Sequence, residues 1–278
     1  MVASDTDSVY LRLDSVVKAG FKEIPDKEQV VHYLDKICAK LLEPFIDESY
    51  QRLADNVNAF AQKMKMKRES IADVGIWRKK KMYILNVYNS EGVQYAEPKL
   101  KIMGIEAVRS STPMVCREKI KEGLSIIMKG TNDELIEFVK KFREEFYTLP
   151  YEKVAFPRSL SEMTKWGNSN GWKPGVPIHV RGAFVFNRLI DKRNLSREIP
   201  KLQDGDKIKF CYLRTPNPSM ENVISVSGDL PKEFLDVARY IDYDTQFEKA
   251  FESPLKSITD VIGWKLTKIA TLEALFGD

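Results

Sequence analysis

The sequence predicts an α+β fold in which antiparallel strands and a long helix precede a mainly helical region. Near the N-terminus, Val9, Leu11 and Leu13 alternate with polar or aromatic residues, as in a half-buried strand. Across residues 28–60, apolar side chains recur at spacings of three and four, which indicates a single buried helical face. Pro44 lies within this pattern and should kink or divide the helix.

Later segments extend both patterns. Residues 82–88 and 93–95 predict a β-hairpin around the turn Asn89-Ser90-Glu91-Gly92, and Lys99–Met103 has the composition of a further strand. After residue 109 helices predominate. Helix starts or helical periodicity predict helices at 113–129, 132–147, 178–190, 234–240 and 245–251.

The composition excludes several protein classes. The 278 residues carry 44 Lys plus Arg against 40 Asp plus Glu, so a net charge of +4 does not fit a histone-like polycation. The basic charge is local, because residues 63–81 contain eight Lys or Arg against Glu69 and Asp73. The three cysteines lack CxxC spacing and are expected to be buried thiols of a reducing compartment. No transmembrane segment or signal peptide is predicted.

A pair of carboxylates in one polar turn is the first feature that suggests chemistry. Asp5 and Asp7 flank Thr6 between two short strand patterns. Carboxylate oxygens are the ligands that Mg²⁺ prefers, and two metal ions can stabilise both oxygens of a phosphoryl transfer. A D-x-D sequence in a loop is also common without any such role.

Five segments, in this order and spacing, resemble motifs of B-family DNA polymerases, and specifically those of T-even-type bacteriophages. The first two resemble the third polymerase motif and the lysine-tyrosine motif; the others resemble the palm-to-thumb junction and a thumb segment. They are Asp5-Thr6-Asp7-Ser8, Lys79-Lys80-Lys81-Met82-Tyr83, Tyr95 through Gly104, Arg109-Ser110-Ser111-Thr112-Pro113, and Ile178-His179-Val180-Arg181-Gly182 with Phe186-Asn187-Arg188.

The resemblance implies the C-terminal part of a replicative DNA-directed DNA polymerase, and one half of a split enzyme is expected. Its exonuclease, first palm motif and fingers would precede the D-T-D motif, before which only four residues stand here. The implied domains are 1–108, the end of the palm; 109–268, the thumb; and 269–278, a tail that binds the sliding clamp. The active site in this chain alone would be incomplete.

The resemblance assigns catalytic roles to three carboxylates. Asp7 would bind both Mg²⁺ ions, Asp5 would lie close to the primer terminus, and an aspartate of the N-terminal polymerase polypeptide would complete the two-metal site. Glu69 matches a palm glutamate near the metals, although a local ion pair with Arg68 or Lys67 explains it equally well. The substrates would be deoxynucleoside triphosphates.

The resemblance also implies contacts with primer-template DNA. Lys80, Lys81 and Tyr83 would lie against the minor groove, whose degenerate pattern suits a shape test without sequence preference. A solvated charged face is the plain alternative. Two departures from the family stand beside these motifs: Met82 replaces a basic residue, and Ala3-Ser4 replaces a usual Tyr-Gly.

In the thumb, the resemblance suggests phosphate contacts from Ser110, Ser111, His179 and Arg181. The serines lie where a helix start could donate to phosphate, but they could equally serve as helix caps. His179 could instead be a hydrogen-bonded core residue.

The apolar-acidic C-terminus resembles the clamp-binding tail of phage polymerases. Leu272, Leu275 and Phe276 are spaced to present anchors from one helical turn, although a terminal helix packed on its own domain would look the same.

Two other functions fit the sequence less well. One is a non-catalytic duplex-binding or processivity module with a structural D-T-D turn, and the other is an independent Mg²⁺ nuclease. The expected location is the cytoplasm of a phage-infected bacterium, without membrane association.

Overall fold

The structure, a computed structural model, describes residues 1–23, 25–105, 109–168 and 171–268. The chain divides into two compact units, Met1–Gly104 and Ile105–Asp278. Both units mix helices with small antiparallel sheets, so the predicted α+β class is confirmed. Within the described residues, no helix is both long enough and apolar enough to cross a membrane.

The first unit contains a two-stranded hairpin, three helices and a three-stranded antiparallel sheet of order β3-β4-β5. Its small core includes Val31, Leu34 and Ile71. The elements are β1 (Ala3–Asp5), β2 (Ser8–Tyr10), α1 (Asp14–Gly20), α2 (Lys27–Ile37), α3 (Glu43–Asn56), β3 (Ser70–Lys79), β4 (Met82–Ser90) and β5 (Val93–Met103).

The long helical pattern forms two α-helices joined by a π-helical turn, Cys38–Leu42, with Pro44 at the start of α3. Pro44 lacks an N–H to donate, so the change of winding just before it follows from its chemistry. The prediction of one continuous buried face is wrong. Val31 and Leu34 are buried, whereas Leu41, Phe45, Leu53 and Val57 are exposed.

The predicted β4–β5 hairpin is confirmed. Its turn residues Glu91 and Gly92 both have positive φ, at 50° and 88°, as a two-residue hairpin turn with the sheet's natural twist requires. Strand β3 was not predicted within the basic segment. Register shifts at Ile71/Ala72, Ala72/Val74 and Trp77/Lys79 break the period-two pattern by which a strand is recognised.

The second unit combines helices with a sheet of order β10-β9-β6. Helix α8 packs on β10, where Gly182 lies directly against Ser225. The elements are α4 (Met114–Lys129), α5 (Asn132–Phe146), α6 (Tyr151–Val154), β6 (Phe156–Ser159), α7 (Met163–Trp166), β7 (Gly167–Asn168), β8 (Gly171–Trp172), α8 (Ile178–Lys192), β9 (Lys207–Tyr212), β10 (Val223–Val226), α9 (Leu235–Ala238), α10 (Tyr243–Phe247) and α11 (Ser253–Thr259).

Aromatic rings pack against one another in the helical core of this unit, in edge-to-face or tilted pairs. Phe142 of α5 lies 4.8 Å from Phe251 and 5.6 Å from Phe247, measured between ring centroids. Thr131 caps α5 through a capping box with Glu134. The cap therefore lies one residue before Asn132, the predicted cap. Cys38, Cys116 and Cys211 are buried free thiols, as predicted.

Gly104 gives a direct test of the packing beneath the β3–β4 turn. It has φ +66°, and a Cβ there would overlap the carbonyl oxygen of Lys81; Gly92 has φ +88° with open space around it. Gly92→Ala should therefore cost about 1 kcal/mol of backbone strain. Gly104→Ala should cost about 1–3 kcal/mol more, from overlap.

Urea unfolding followed by the fluorescence of Trp77, with the other three tryptophans replaced by Phe, measures both losses in the first unit. Equal losses for Gly104→Ala and Gly92→Ala would contradict the close packing against Lys81.

Candidate active site

The D-T-D turn connects β1 to β2 and leaves the Asp7 side chain exposed. Asp5 pairs with Ser8 across the hairpin, which leaves Thr6 and Asp7 as the two turn residues. Thr6 has φ 42°, a left-handed conformation that is unfavourable for a β-branched residue. Among the described residues, Asp7 makes no ion pair or side-chain hydrogen bond, so its carboxylate is available to a ligand.

A second tight turn brings two lysines to Asp5. Lys79 pairs with Met82 across β3 and β4, so Lys80 and Lys81 form the turn, with Lys81 at φ 61°. The Nζ atoms of Lys80 and Lys81 lie 3.6 Å and 4.0 Å from the carboxylate oxygens of Asp5. Both lysine side chains are about 70% exposed or more, so these pairs orient the two turns more than they stabilise the fold.

An aromatic cluster joins the same hairpin to the sheet. The ring of Tyr10 lies 5.4 Å from that of Trp77 in β3 and 5.4 Å from that of Tyr83 in β4, both with edge-to-face geometry. Val9 and Leu11, predicted to face the core, are exposed instead. The strand therefore presents the opposite face, because the larger Tyr10 ring packs against the sheet.

The environment of Tyr83 favours its neutral phenol. Burial raises the pKa of Tyr83, and its hydrogen bond with Tyr10 and the negative charges of Glu69 and Asp5 act in the same direction. A neutral Tyr83 hydroxyl can donate a hydrogen bond, as a contact to a groove acceptor requires.

The carboxylates fit Mg²⁺ by donor type but not by number. Hard oxygen ligands are present at Asp5 and Asp7, yet Asp5 is already paired with two lysines. The described residues contain no group of three or more His, Cys, Asp or Glu placed to hold a metal ion. A metal at Asp7 therefore needs at least one ligand from elsewhere.

Glu69 is paired, but with neither of the neighbours considered from the sequence. Its carboxylate accepts from Lys101 of β5, whereas Arg68 binds Asp35 and Asn89. Glu69 contributes to the negative field at Tyr83. Glu69 therefore lies close enough to Tyr83 for its negative charge to act on the phenol.

In the second unit, Ser110 and Ser111 precede α4, whose N-cap is Pro113. Neither serine caps the helix through its side chain, and the Ser111 carbonyl accepts a 2.9 Å hydrogen bond from Arg158. The cap residue Pro113 itself offers no side-chain acceptor to the first turn of α4.

His179 and Arg181 occupy the first turn of α8. Burial, with nearby Arg158, lowers the pKa of His179, which favours its neutral imidazole. The Arg181 guanidinium donates to Asn222 at 2.5 Å, and its buried Nε has no partner among the described residues. Leu272, Leu275 and Phe276 lie outside the described residues.

Two curated relatives match the chain along nearly its whole length. It is 34% identical over 291 residues to the DNA-directed DNA polymerase of Enterobacteria phage T4, and 35% identical over 286 residues to that of Escherichia phage RB69. No family model matches the chain.

The chain is a homologue of the T-even phage DNA polymerases. The two matches cover 100% and 98% of this chain. They cover only about a third of each relative's length, 32% and 31%. The resemblance drawn from the polymerase motifs is confirmed, and it is consistent with a C-terminal part of such an enzyme.

Several residues that organise this homologue's site were not predicted. Tyr10 and Trp77 carry no polar motif, and Lys101 lies far from Glu69 in sequence. Gly104, directly after β5, offered the one sequence signal, because a glycine ending a strand often marks a close backbone approach.

The raised pKa of Tyr83 predicts alkaline instability of the first unit. A raised pKa in the folded state adds stability that is fully present below the unfolded value of about 10 and is lost as pH rises through the folded value. Tyr83→Phe cannot ionise at this position, so its unfolding free energy should fall less steeply above pH 10.

Urea unfolding followed by Trp77 fluorescence measures this pH dependence, and Tyr95→Phe on the outer strand is the control. Parallel profiles for the parent protein and Tyr83→Phe would contradict the assignment.

Proposed function

We propose that this chain is the C-terminal palm and thumb part of a replicative DNA-directed DNA polymerase. It would contribute metal-binding carboxylates and hold the primer-template duplex, and it would act only with the N-terminal part that carries the exonuclease, first palm motif and fingers. The observation that carries this proposal is the meeting of the D-T-D turn with the Lys80-Lys81 turn in a homologue of phage polymerases.

In this proposal Asp7 holds Mg²⁺, together with a further aspartate from the N-terminal part. The metal ions would supply charge stabilisation for the attacking 3′-oxygen and the departing pyrophosphate. Asp5 and its two lysines would fix the direction of the turn and the field near the primer terminus. Glu69, held by Lys101, would add negative charge at the edge of this site.

The duplex grip would begin at Lys80, Lys81 and Tyr83. Two largely exposed ammonium groups beside a neutral phenol suit phosphate and groove-edge contacts that do not depend on sequence. The thumb would add phosphate contacts from Ser110 and Ser111 at the start of α4. His179, as a neutral imidazole, would position the primer backbone or donate a hydrogen bond to it. Arg181 would supply positive charge for the phosphates.

The remaining assignments rest on the homology. The chain would divide into palm (1–108), thumb (109–268) and a clamp-binding tail (269–278) with anchors Leu272, Leu275 and Phe276. Its substrates would be deoxynucleoside triphosphates and primer-template DNA. The protein would act in the cytoplasm of the infected bacterium.

A processivity or duplex-binding module without catalysis is a second candidate. It is favoured by one observation: the described residues bring no third carboxylate to Asp5 and Asp7. The two functions differ in whether Asp7 matters for synthesis.

Asp7→Asn decides between them. In the assembled polymerase it should lower primer extension by about three orders of magnitude, because a lost metal ligand removes several kcal/mol of transition-state stabilisation. Asp14→Asn, an exposed carboxylate paired with Arg12, is the matched control and should retain activity. DNA affinity, measured by fluorescence anisotropy, should stay unchanged in both. Normal synthesis by Asp7→Asn would support the non-catalytic module.

Lys80→Ala with Lys81→Ala tests the duplex grip. Each phosphate contact removed should lower the slope of log affinity against log salt by about 0.9, equally for all duplex sequences. Titration at several salt concentrations measures the slope. Lys129→Ala, at the end of α4, is the comparison for the loss of a single positive charge elsewhere. An unchanged slope for the double variant would show that these lysines form only a solvated face.

A further inference from the structure

The exposed apolar row along α3 has no partner among the described residues of its own unit. Phe45 and Leu53 lie in α3, Leu41 in the π-helical turn before it and Val57 at its C-cap. These four residues are spaced at multiples of four, so they line up as one ridge. Leu41, Phe45 and Val57 are each more than 60% exposed, and Phe60 beyond the helix is fully exposed. Over 16 residues the ridge extends roughly 24 Å.

This ridge is unusual for a helix of its length. Only Ala54 is buried in the 14 residues of α3. Most helices in proteins owe their stability to tertiary packing of an apolar face, and soluble monomers seldom expose contiguous apolar patches of this kind. The face is therefore suited to being covered.

The chemistry of the ridge permits complete burial. Ser49 is the single polar residue within the four-residue repeat, and its hydroxyl donates to the Phe45 carbonyl at 2.7 Å. The Ser49 hydroxyl therefore keeps its hydrogen bond when the ridge is covered by a partner. The flanking polar residues already pair with each other on the helix surface, Arg52 with Glu48 and Gln51 with Asp55.

A hollow at the end of the ridge could accept an apolar side chain. Its volume is about 330 Å³. Lys63 is its one charged lining residue, and the others are apolar or neutral: Leu53, Ala54, Val57, Ala59, Ala61, Gln62 and Met64.

The charge of α3 selects the kind of occupant. Four carboxylates, Glu43, Asp47, Glu48 and Asp55, stand against Arg52, which gives the helix a net charge of −3. DNA phosphates and anionic lipid surfaces are repelled by such a face. An apolar ridge with an acidic rim instead fits a protein surface that has an apolar groove and basic margins.

We infer that the ridge Leu41–Phe45–Leu53–Val57 docks the polypeptide that carries the rest of the polymerase. The homologous polymerases contain about two thirds of their length outside the segment that this chain spans, so a large protein partner is available in that enzyme class. This inference rests on the proposed function. It assigns the assembly surface to α3, away from the catalytic turn residues.

The test measures binding without DNA, nucleotides or metal, so that it does not depend on catalysis. The probe is the remaining portion of the same polymerase, produced as a separate polypeptide and titrated against the full chain by interferometry. Phe45→Glu and Val57→Glu should each weaken binding roughly tenfold, and the double variant roughly a hundredfold. Val93→Glu, at a 60% exposed apolar position in the β4–β5 hairpin, should bind normally.

Circular dichroism should show that the double variant keeps its helices. Unchanged binding by the folded double variant, or an equal loss in Val93→Glu, would overturn the inference. Dimers of the chain alone that the same variants dissolve would identify a second copy as the occupant and overturn it too. Asp7→Asn should bind normally; if it also synthesises DNA normally, the proposed function fails while the docking surface stands.

Discussion

The charge contact between Asp5 and the Lys80-Lys81 turn is the constraint on which the candidate site depends. It joins two tight turns that are distant in sequence, and each turn includes a residue with positive φ, Thr6 and Lys81. The pairing occupies Asp5 and leaves Asp7 exposed. Beneath it, the rings of Tyr10, Trp77 and Tyr83 hold the hairpin against the sheet, so the geometry does not depend on exposed ion pairs alone.

This arrangement places two kinds of chemistry on two turns that meet through Asp5. The carboxylate of Asp7 suits a hard cation, while Lys80, Lys81 and the neutral phenol of Tyr83 suit a polyanion. A polymerase needs both beside one another, because the primer terminus must reach the metals while its duplex is held. The described residues bring no third carboxylate to Asp5 and Asp7, so the proposed metal site would need a ligand from the rest of the polymerase.

Sequence patterns predicted local structure well where one element determines it. The D-T-D and β4–β5 turns, α4 and α8 all follow from caps, glycine or short polar turns. The sequence patterns failed where contacts between distant residues determine the structure. Strand β3 is interrupted by bulges, Tyr10 rather than Val9 faces the sheet, and Glu69 pairs with Lys101 on another strand. The apolar periodicity of residues 28–60 predicted one buried face, yet Leu41, Phe45, Leu53 and Val57 are exposed, because periodicity alone does not show which packing partners are present.

Mg²⁺-dependent primer extension tests the central claim most directly. The purified chain is assayed alone and together with the separately produced remainder of the polymerase. A chain that supplies Asp5 and Asp7 but lacks a further metal ligand should be silent alone and should synthesise DNA in the mixture. Synthesis by this chain alone would contradict the account, because the missing carboxylate would then have to lie within its own 278 residues.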